Sequence, residues 1–164
     1  MEAIFCAIMD SEGLEALLPT SILATIDEES GYTPITYAVY NGKISALKLM
    51  FKHNGDPNHT DGNGDTPLFA ALARNYPTAT KCLLEHKADP NDSGSENCYP
   101  LSYAVEYCDP SIVKMLLEAG ADPEHKRQGF VTPKQFATNS LKKSPGSRHW
   151  IKMVSLFTQK TTSW

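Results

Sequence analysis

One proline spacing recurs along this 164-residue chain. Four prolines stand 33 residues apart, at Pro34, Pro67, Pro100 and Pro133. An alanine follows each of them four residues later, and a second proline series with the same spacing occupies Pro57, Pro90 and Pro123. A fixed period in several registers is typical of repeat proteins, in which each unit packs against its neighbours. We therefore expect a row of similar units without a single central core.

The residues around the first proline series predict how each unit begins. In Gly31-Tyr32-Thr33-Pro34 and in Gly64-Asp65-Thr66-Pro67, the glycine permits a tight turn before a Thr-Pro pair. Threonine caps the free amides of a helix and proline suits its first position. A second apolar segment follows and ends at the second proline series, because proline cannot continue a helix. These features predict an all-α fold of helix-turn-helix units, joined by short β-hairpin-like fingers.

The pattern resembles the ankyrin repeat, whose period is 33 residues. The T-P-L-x-x-A signature corresponds to Thr66-Pro67-Leu68-Phe69-Ala70-Ala71, and the closing leucines with G-A-D correspond to residues 116–122. The resemblance covers residues 28–126 and implies a single ankyrin-repeat solenoid. It divides the chain into an N-terminal capping repeat (1–27), three regular repeats (28–60, 61–93 and 94–126) and a C-terminal capping repeat (127–164) with an inserted loop at about 142–148.

Composition disfavours several classes of partner. The chain has 15 Lys and Arg against 19 Asp and Glu, a formal charge of −4, whereas nucleic-acid binding needs a basic surplus. Its apolar runs are too short to cross a membrane, and Glu2 stands where a signal peptide is basic. The four cysteines form no C-x-x-C pair, which suits a reducing compartment. We expect a monomer that is located in the cytoplasm and possible in the nucleus as well. The alternative is delivery into the cytosol of a host cell, because the effectors of intracellular bacteria include ankyrin chains.

No motif predicts an enzyme, a cofactor or a metal. The five histidines form no H-E-x-x-H pair, and neither G-x-S-x-G nor a phosphate loop is present. Asp61-Gly62-Asn63-Gly64-Asp65 resembles the start of a calcium loop, but Thr66 and Leu72 stand where that loop needs glycine and glutamate. We expect no catalytic, cofactor or metal site. An enzyme, or the regulatory subunit of one, with an unrecognised cluster stays open as an alternative.

Two cysteines and two asparagines have register positions that predict their surroundings. Cys82 falls where other repeats have apolar residues, so we expect it in the core, whereas Cys98 and Cys108 are expected within reach of solvent. Asn58 and Asn91 follow the second proline series and are expected to form turns. They also stand at the position that resembles the asparagine hydroxylated in many ankyrin proteins.

The resemblance implies that finger tips and exposed residues of the first helices bind a partner. The corresponding residues are Glu29, Tyr32, Tyr40, Asn41, Asn63, Asp65, Arg74, Glu96, Glu106 and Tyr107. Acids outnumber the one basic residue, and tyrosines, which dominate many interfaces, lie among them. We predict that these residues bind a protein segment with basic and apolar side chains, as in an adaptor or a stoichiometric inhibitor. The alternative is a solvated surface whose acids keep the protein soluble.

Overall fold

A computed structural model of the chain describes residues 5, 8, 20–94, 99–125 and 131–158. A short helix, α1 (Thr20–Leu23), precedes four helix pairs. The pairs are α2 (Pro34–Tyr40) with α3 (Ile44–Lys52), α4 (Pro67–Ala73) with α5 (Pro77–Glu85), α6 (Pro100–Tyr107) with α7 (Pro110–Glu118), and α8 (Pro133–Lys143) with α9 (Arg148–Thr158). The predicted all-α repeat fold is confirmed. Over these described ranges the fingers contain turns and no strand.

The chain divides into two compact units, Met1–Asp89 and Pro90–Trp164. In the first unit, α2 packs against α1, α3 and α4, while α5 packs against α3 and α4. In the second unit, α6 packs against α7 and α8, while α9 packs against α7 and α8. Within each unit, therefore, first helices stack on first helices and second helices on second helices.

The predicted threonine caps are present at three of the four first helices. The Thr33 hydroxyl accepts a hydrogen bond from the Thr36 amide at 3.1 Å, and the Thr36 hydroxyl accepts one from the Thr33 amide at 2.9 Å. Thr132 and Gln135 form the same reciprocal pair, and Thr66 caps α4. Each cap satisfies amides that a helix leaves without a partner. The helix that follows Tyr99 has no side-chain cap, as the missing threonine predicts.

Small side chains let the first helices approach one another. The alanine four residues after each proline is fully buried in all four pairs: Ala38, Ala71, Ala104 and Ala137 are each 0% exposed. Larger apolar residues from both helices of a pair complete the interior, including Leu47 and Met50 in the first unit and Ile112 and Leu116 in the second. Cys82 is buried among them, as predicted.

Two asparagines join the turns of consecutive repeats. The Asn58 side chain donates to the carbonyl of Lys87 at 3.3 Å and accepts from the Asp89 amide at 2.7 Å. Asn91 makes the same pair of bonds to the Gly120 carbonyl (3.1 Å) and the Asp122 amide (2.8 Å). Both asparagines lie in turns, so that prediction is confirmed, and their amides also connect each repeat to the next within its unit.

The prediction that Cys108 is reachable by solvent is wrong, because its side chain is 4% exposed. At the same register in earlier repeats, Gly42 and Asn75 have positive φ angles of 65° and 49°. Cys108 instead has an extended backbone, with φ −110° and ψ 168°, which turns its side chain towards the interior. Cys98 lies outside the described residues.

The predicted loop in the last repeat is shorter than expected. Lys142 and Lys143 continue α8, and Arg148 already begins α9, so the connection spans only residues 144–147. Pro145 stops the helix here, because proline disfavours helical geometry in the residue before it. The extra residues are divided among the loop, a first helix of 11 residues, where α2 and α4 have 7, and a second helix of 11 residues, where α3, α5 and α7 have 9.

Candidate protein-binding surface

The first finger, residues 27–32, is held by a compact set of hydrogen bonds. The Asp27 carboxylate accepts from the Ser30 amide at 2.9 Å and from the Ser30 hydroxyl at 2.7 Å. These bonds lower the pKa of Asp27, because they favour its charged form. The Asp27 amide donates across the finger to the Tyr32 carbonyl at 3.0 Å. Exposed Glu29 and half-buried Tyr32 are therefore presented on an ordered turn.

The second finger, residues 61–65, is built around the buried carboxylate of Asp61, which is 4% exposed. One oxygen of this carboxylate, Oδ1, accepts from the amides of Asn63 at 2.9 Å and Asp65 at 3.1 Å. The Gly62 amide donates to the Gly31 carbonyl of the first finger at 2.7 Å. A side chain on Gly62 would lie 3.0 Å from that carbonyl oxygen, so glycine allows the two fingers to touch.

Two tyrosines and an acid lie together in the first unit. The rings of Tyr32 and Tyr40 are tilted against each other with centroids 4.8 Å apart. Burial, followed by the charges of Asp65, Tyr32 and Asp61, raises the pKa of Tyr40 to about 12. The negative charges of Asp65 and Asp61 thus add to burial in favouring the protonated Tyr40 hydroxyl, which stays protonated at neutral pH. We call Tyr32, Tyr40 and Asp65 the tyrosine-acid cluster.

Three other predicted residues surround this cluster and are exposed. Arg74 donates from Nη2 to the Tyr40 carbonyl at 3.4 Å, and its guanidinium lies 5.7 Å from the centre of the Tyr76 ring. Asn41 donates to the Tyr37 carbonyl at 2.9 Å, which closes the end of α2. The Asn63 side chain lies 3.5 Å from the position that a Cβ atom would occupy on Gly31. The seven predicted residues of the first unit thus lie on the two fingers and at the ends of α2 and α4.

A second tyrosine pair lies on α6 in the other unit. The Tyr107 side chain is 62% exposed, and its ring lies 4.8 Å from that of Tyr103, with a tilt of 43°. Glu106 is exposed beside them. Glu96, the remaining predicted residue, lies outside the described residues.

Sequence reasoning missed two residues that shape the candidate surface. Tyr103 stands four residues before Tyr107, a spacing that places both side chains on one face of a helix and could have been noticed. The sequence around Asp61 suggests only a cation ligand, and its burial beneath the finger has no local sequence signal.

The described residues contain no group of three or more His, Cys, Asp or Glu side chains that could hold a metal ion. Burial raises the pKa of Cys82, and burial together with Asp109 raises the pKa of Cys108 to about 11, so both thiols are poor nucleophiles. No helix in the described ranges is long and apolar enough to cross a membrane.

The repeated helix pairs, their threonine caps and their connecting asparagines define a helical repeat protein. The chain belongs to the ankyrin-repeat family: the family profile described as ankyrin repeats (3 copies) matches residues 36–127. Ankyrin repeats generally serve as protein–protein interaction modules and are typically non-catalytic. A comparison with curated proteins finds no match.

Proposed function

We propose that the chain is a non-catalytic adaptor or stoichiometric inhibitor that binds a basic and apolar segment of a partner protein. The observation that carries this proposal is the tyrosine-acid cluster, in which Tyr32 and Tyr40 lie 4.8 Å apart and Asp65 acts on the Tyr40 hydroxyl. The Tyr107 and Tyr103 pair beside Glu106 offers the same combination in the second unit.

Tyrosine and carboxylate together suit a basic and apolar segment. The ring faces attract a cationic side chain, and the apolar ring area contacts its alkyl stem or a neighbouring apolar residue. The carboxylates of Asp65 and Glu106 steer the approach of the positive partner and pair with it at the surface. Because the pKa of Tyr40 is about 12, its hydroxyl remains available as a hydrogen-bond donor.

The fingers are ordered before any partner arrives. The Asp27–Ser30 bonds, the Asp61 bonds and the bond between Gly62 and Gly31 fix both fingers against each other. A surface that is already ordered loses less conformational entropy on binding, which favours affinity. One copy of the chain is sufficient for this binding, since all the proposed contact residues lie on it.

The proposal is tested by capture of partner proteins from a cell extract. Immobilised wild-type protein is compared with the Tyr40→Ala/Tyr107→Ala variant, and bound proteins are quantified by mass spectrometry. We expect the variant to lose the proteins that the wild type enriches, because truncation of a tyrosine at the centre of an interface costs about 2 kcal/mol or more.

A matched variant separates loss of the surface from loss of the fold. Lys81→Ala/Glu85→Ala removes an exposed ion pair on the second helix α5, whose charged atoms lie 3.8 Å apart. This control should retain the captured proteins, and circular dichroism should show all three chains folded. Equal capture by the tyrosine variant and the wild type would refute the proposed surface.

A further inference from the structure

The charges of this chain are segregated along the sequence. Residues 126–164 contain eight of the 15 Lys and Arg residues and none of the 19 Asp and Glu residues. This segment therefore has a formal charge of +8, and residues 1–125 have −12. Soluble surfaces ordinarily mix both signs, so a segment of this length with one sign needs an explanation.

The described cations of this segment lie on the last helix pair. Lys134, Lys142 and Lys143 on α8, and Arg148 and Lys152 on α9, are all exposed. Among the described residues, none of these five has a carboxylate within ion-pair distance. By contrast, Lys81 and Lys114 on regular repeats pair with glutamates at 3.8 and 3.6 Å.

Two of the lysines border a shallow polar depression of about 350 Å³. Its lining residues are Glu124, Thr132, Lys134, Gln135, Thr138, Asn139 and Lys142. Lys134 and Lys142 are eight residues apart on one helix, so they stand roughly 12 Å apart along its axis. The lining also includes the Thr138 hydroxyl, the side-chain amides of Gln135 and Asn139, and one carboxylate, that of Glu124, so lysines outnumber acids two to one. We call this depression and its two lysines the basic groove.

The register of the repeats makes Lys134 unusual. The residue after each first-helix proline is buried and apolar in the other pairs: Ile35, Leu68 and Leu101 are at most 2% exposed. In the last described repeat this position is occupied by Lys134, which is exposed. An exposed position accepts any polar residue, including an acid.

A cation is also a poor choice for stability at this site. Lys134 lies in the first turn of α8, and Arg148 is the first residue of α9. Cations near a helix N-terminus oppose the helix dipole, where an acid would stabilise it. Only Lys142 and Lys143, in the last turn of α8, lie where the dipole favours them. The positive charge of the groove is therefore not explained by capping alone.

We propose that the basic groove binds an acidic segment of a protein, rich in Asp and Glu. An extended segment rises about 3.3 Å per residue, so carboxylates four residues apart span about 13 Å and match the separation of Lys134 and Lys142. The side-chain amides of Gln135 and Asn139 complete the contacts by donating to backbone and carboxylate oxygens, whereas the Thr138 hydroxyl already donates to the Lys134 carbonyl at 2.8 Å. This groove takes a ligand of opposite charge to the one proposed for the tyrosine-acid cluster and does not depend on that proposal.

The charge of the rest of the chain favours a short acidic segment over a nucleic acid. A long polyphosphate that reaches past the groove onto residues 1–125 would be repelled by their formal charge of −12. A short segment can confine its charge to the groove. Among the residues of the groove, none carries a large apolar side chain that would insert into a membrane surface.

The test is a fluorescence anisotropy titration with a labelled peptide of about eight glutamates, which is long enough to span both lysines. The full-length wild type is compared with Lys134→Gln/Lys142→Gln and with Lys81→Gln/Lys114→Gln. The second variant removes the same two charges from ion pairs on regular repeats. Parallel titrations use single-stranded DNA and vesicles that contain phosphatidylserine.

We expect the groove variant to bind the glutamate peptide about tenfold more weakly and the control variant to bind like the wild type. DNA and vesicles should bind more weakly than the peptide. Equal affinity of wild type and groove variant would overturn the proposal, and so would an equal loss in both variants, since net charge alone would then explain binding. Tighter binding of DNA or vesicles would also overturn it and would assign the surface to that ligand.

Discussion

Replacement of Asn91 by alanine tests whether the side-chain amides between repeats stabilise the stack. The Asn91 amide donates to the Gly120 carbonyl at 3.1 Å and accepts from the Asp122 amide at 2.8 Å. Alanine removes both bonds and adds no bulk. The carbonyl partner is exposed and can bind water, whereas the Asp122 amide is partly buried.

The expected cost follows from these two bonds. A hydrogen bond contributes about 1 kcal/mol net, and more when its loss leaves a buried partner without a replacement. Asn91→Ala should therefore lower the free energy of unfolding by about 1–2 kcal/mol. For a chain of this length each kcal/mol corresponds to about 2–4 °C in melting temperature.

Urea denaturation followed by circular dichroism measures this change. Asn139→Ala is the matched control, because Asn139 is exposed on α8 and the same atoms are deleted there. The control should change the free energy of unfolding by less than about 0.5 kcal/mol. An unchanged midpoint for Asn91→Ala would refute the role given to the amides, and an equal loss in both variants would point to a general effect of asparagine removal.

Three further predictions concern stability. Lys87 has a φ of 71° at the register of Gly120, so Lys87→Gly should stabilise the fold by up to about 1 kcal/mol in urea denaturation; a destabilised variant would contradict this. Thr66 caps the Phe69 amide at 3.1 Å, so Thr66→Ala should cost about 1 kcal/mol, and an unchanged melting temperature would argue against the cap. Burial, then Asp109, raises the pKa of Cys108 to about 11 from an ordinary 9.0. The protonated thiol therefore stabilises the folded state fully below pH 9, and this contribution is lost as pH rises towards 11. Cys108→Ala should flatten that part of the stability profile against pH, and an unaltered slope would show that another group titrates.

The helix starts could be predicted because their causes are local. Proline fixes its own backbone angle, threonine satisfies nearby amides, and an alanine at a fixed distance permits close packing. Thr66 with Pro67 and Ala71 therefore predicts the position of α4 without knowledge of its neighbours. The same reasoning explains why the helix after Tyr99, which has no threonine before its proline, lacks a side-chain cap.

Predictions from sequence are wrong or incomplete where a residue's environment depends on packing between elements. Cys108 is buried because the backbone is extended at a turn where earlier repeats use a left-handed residue. The spacing of the last repeat shows that it has extra residues. The spacing alone does not tell how many of them lengthen a helix and how many lie in the loop. The burial of Asp61 beneath its finger depends on amide positions that form only in the folded turn. The repeat register selects Tyr32, Tyr40 and Asp65 one by one, whereas the contact between the two tyrosine rings arises only in the fold.

We propose that a partner contacts the fingers and first helices. Site-specific photocross-linking tests it most directly, with a photoreactive phenylalanine analogue placed at exposed Asn41 or Tyr107 and, for comparison, at Lys81 or Lys114 on second helices. After irradiation in a cell extract, we predict covalent adducts with the same partner from positions 41 and 107 and none from positions 81 and 114. Adducts formed mainly from the second helices would contradict the claim.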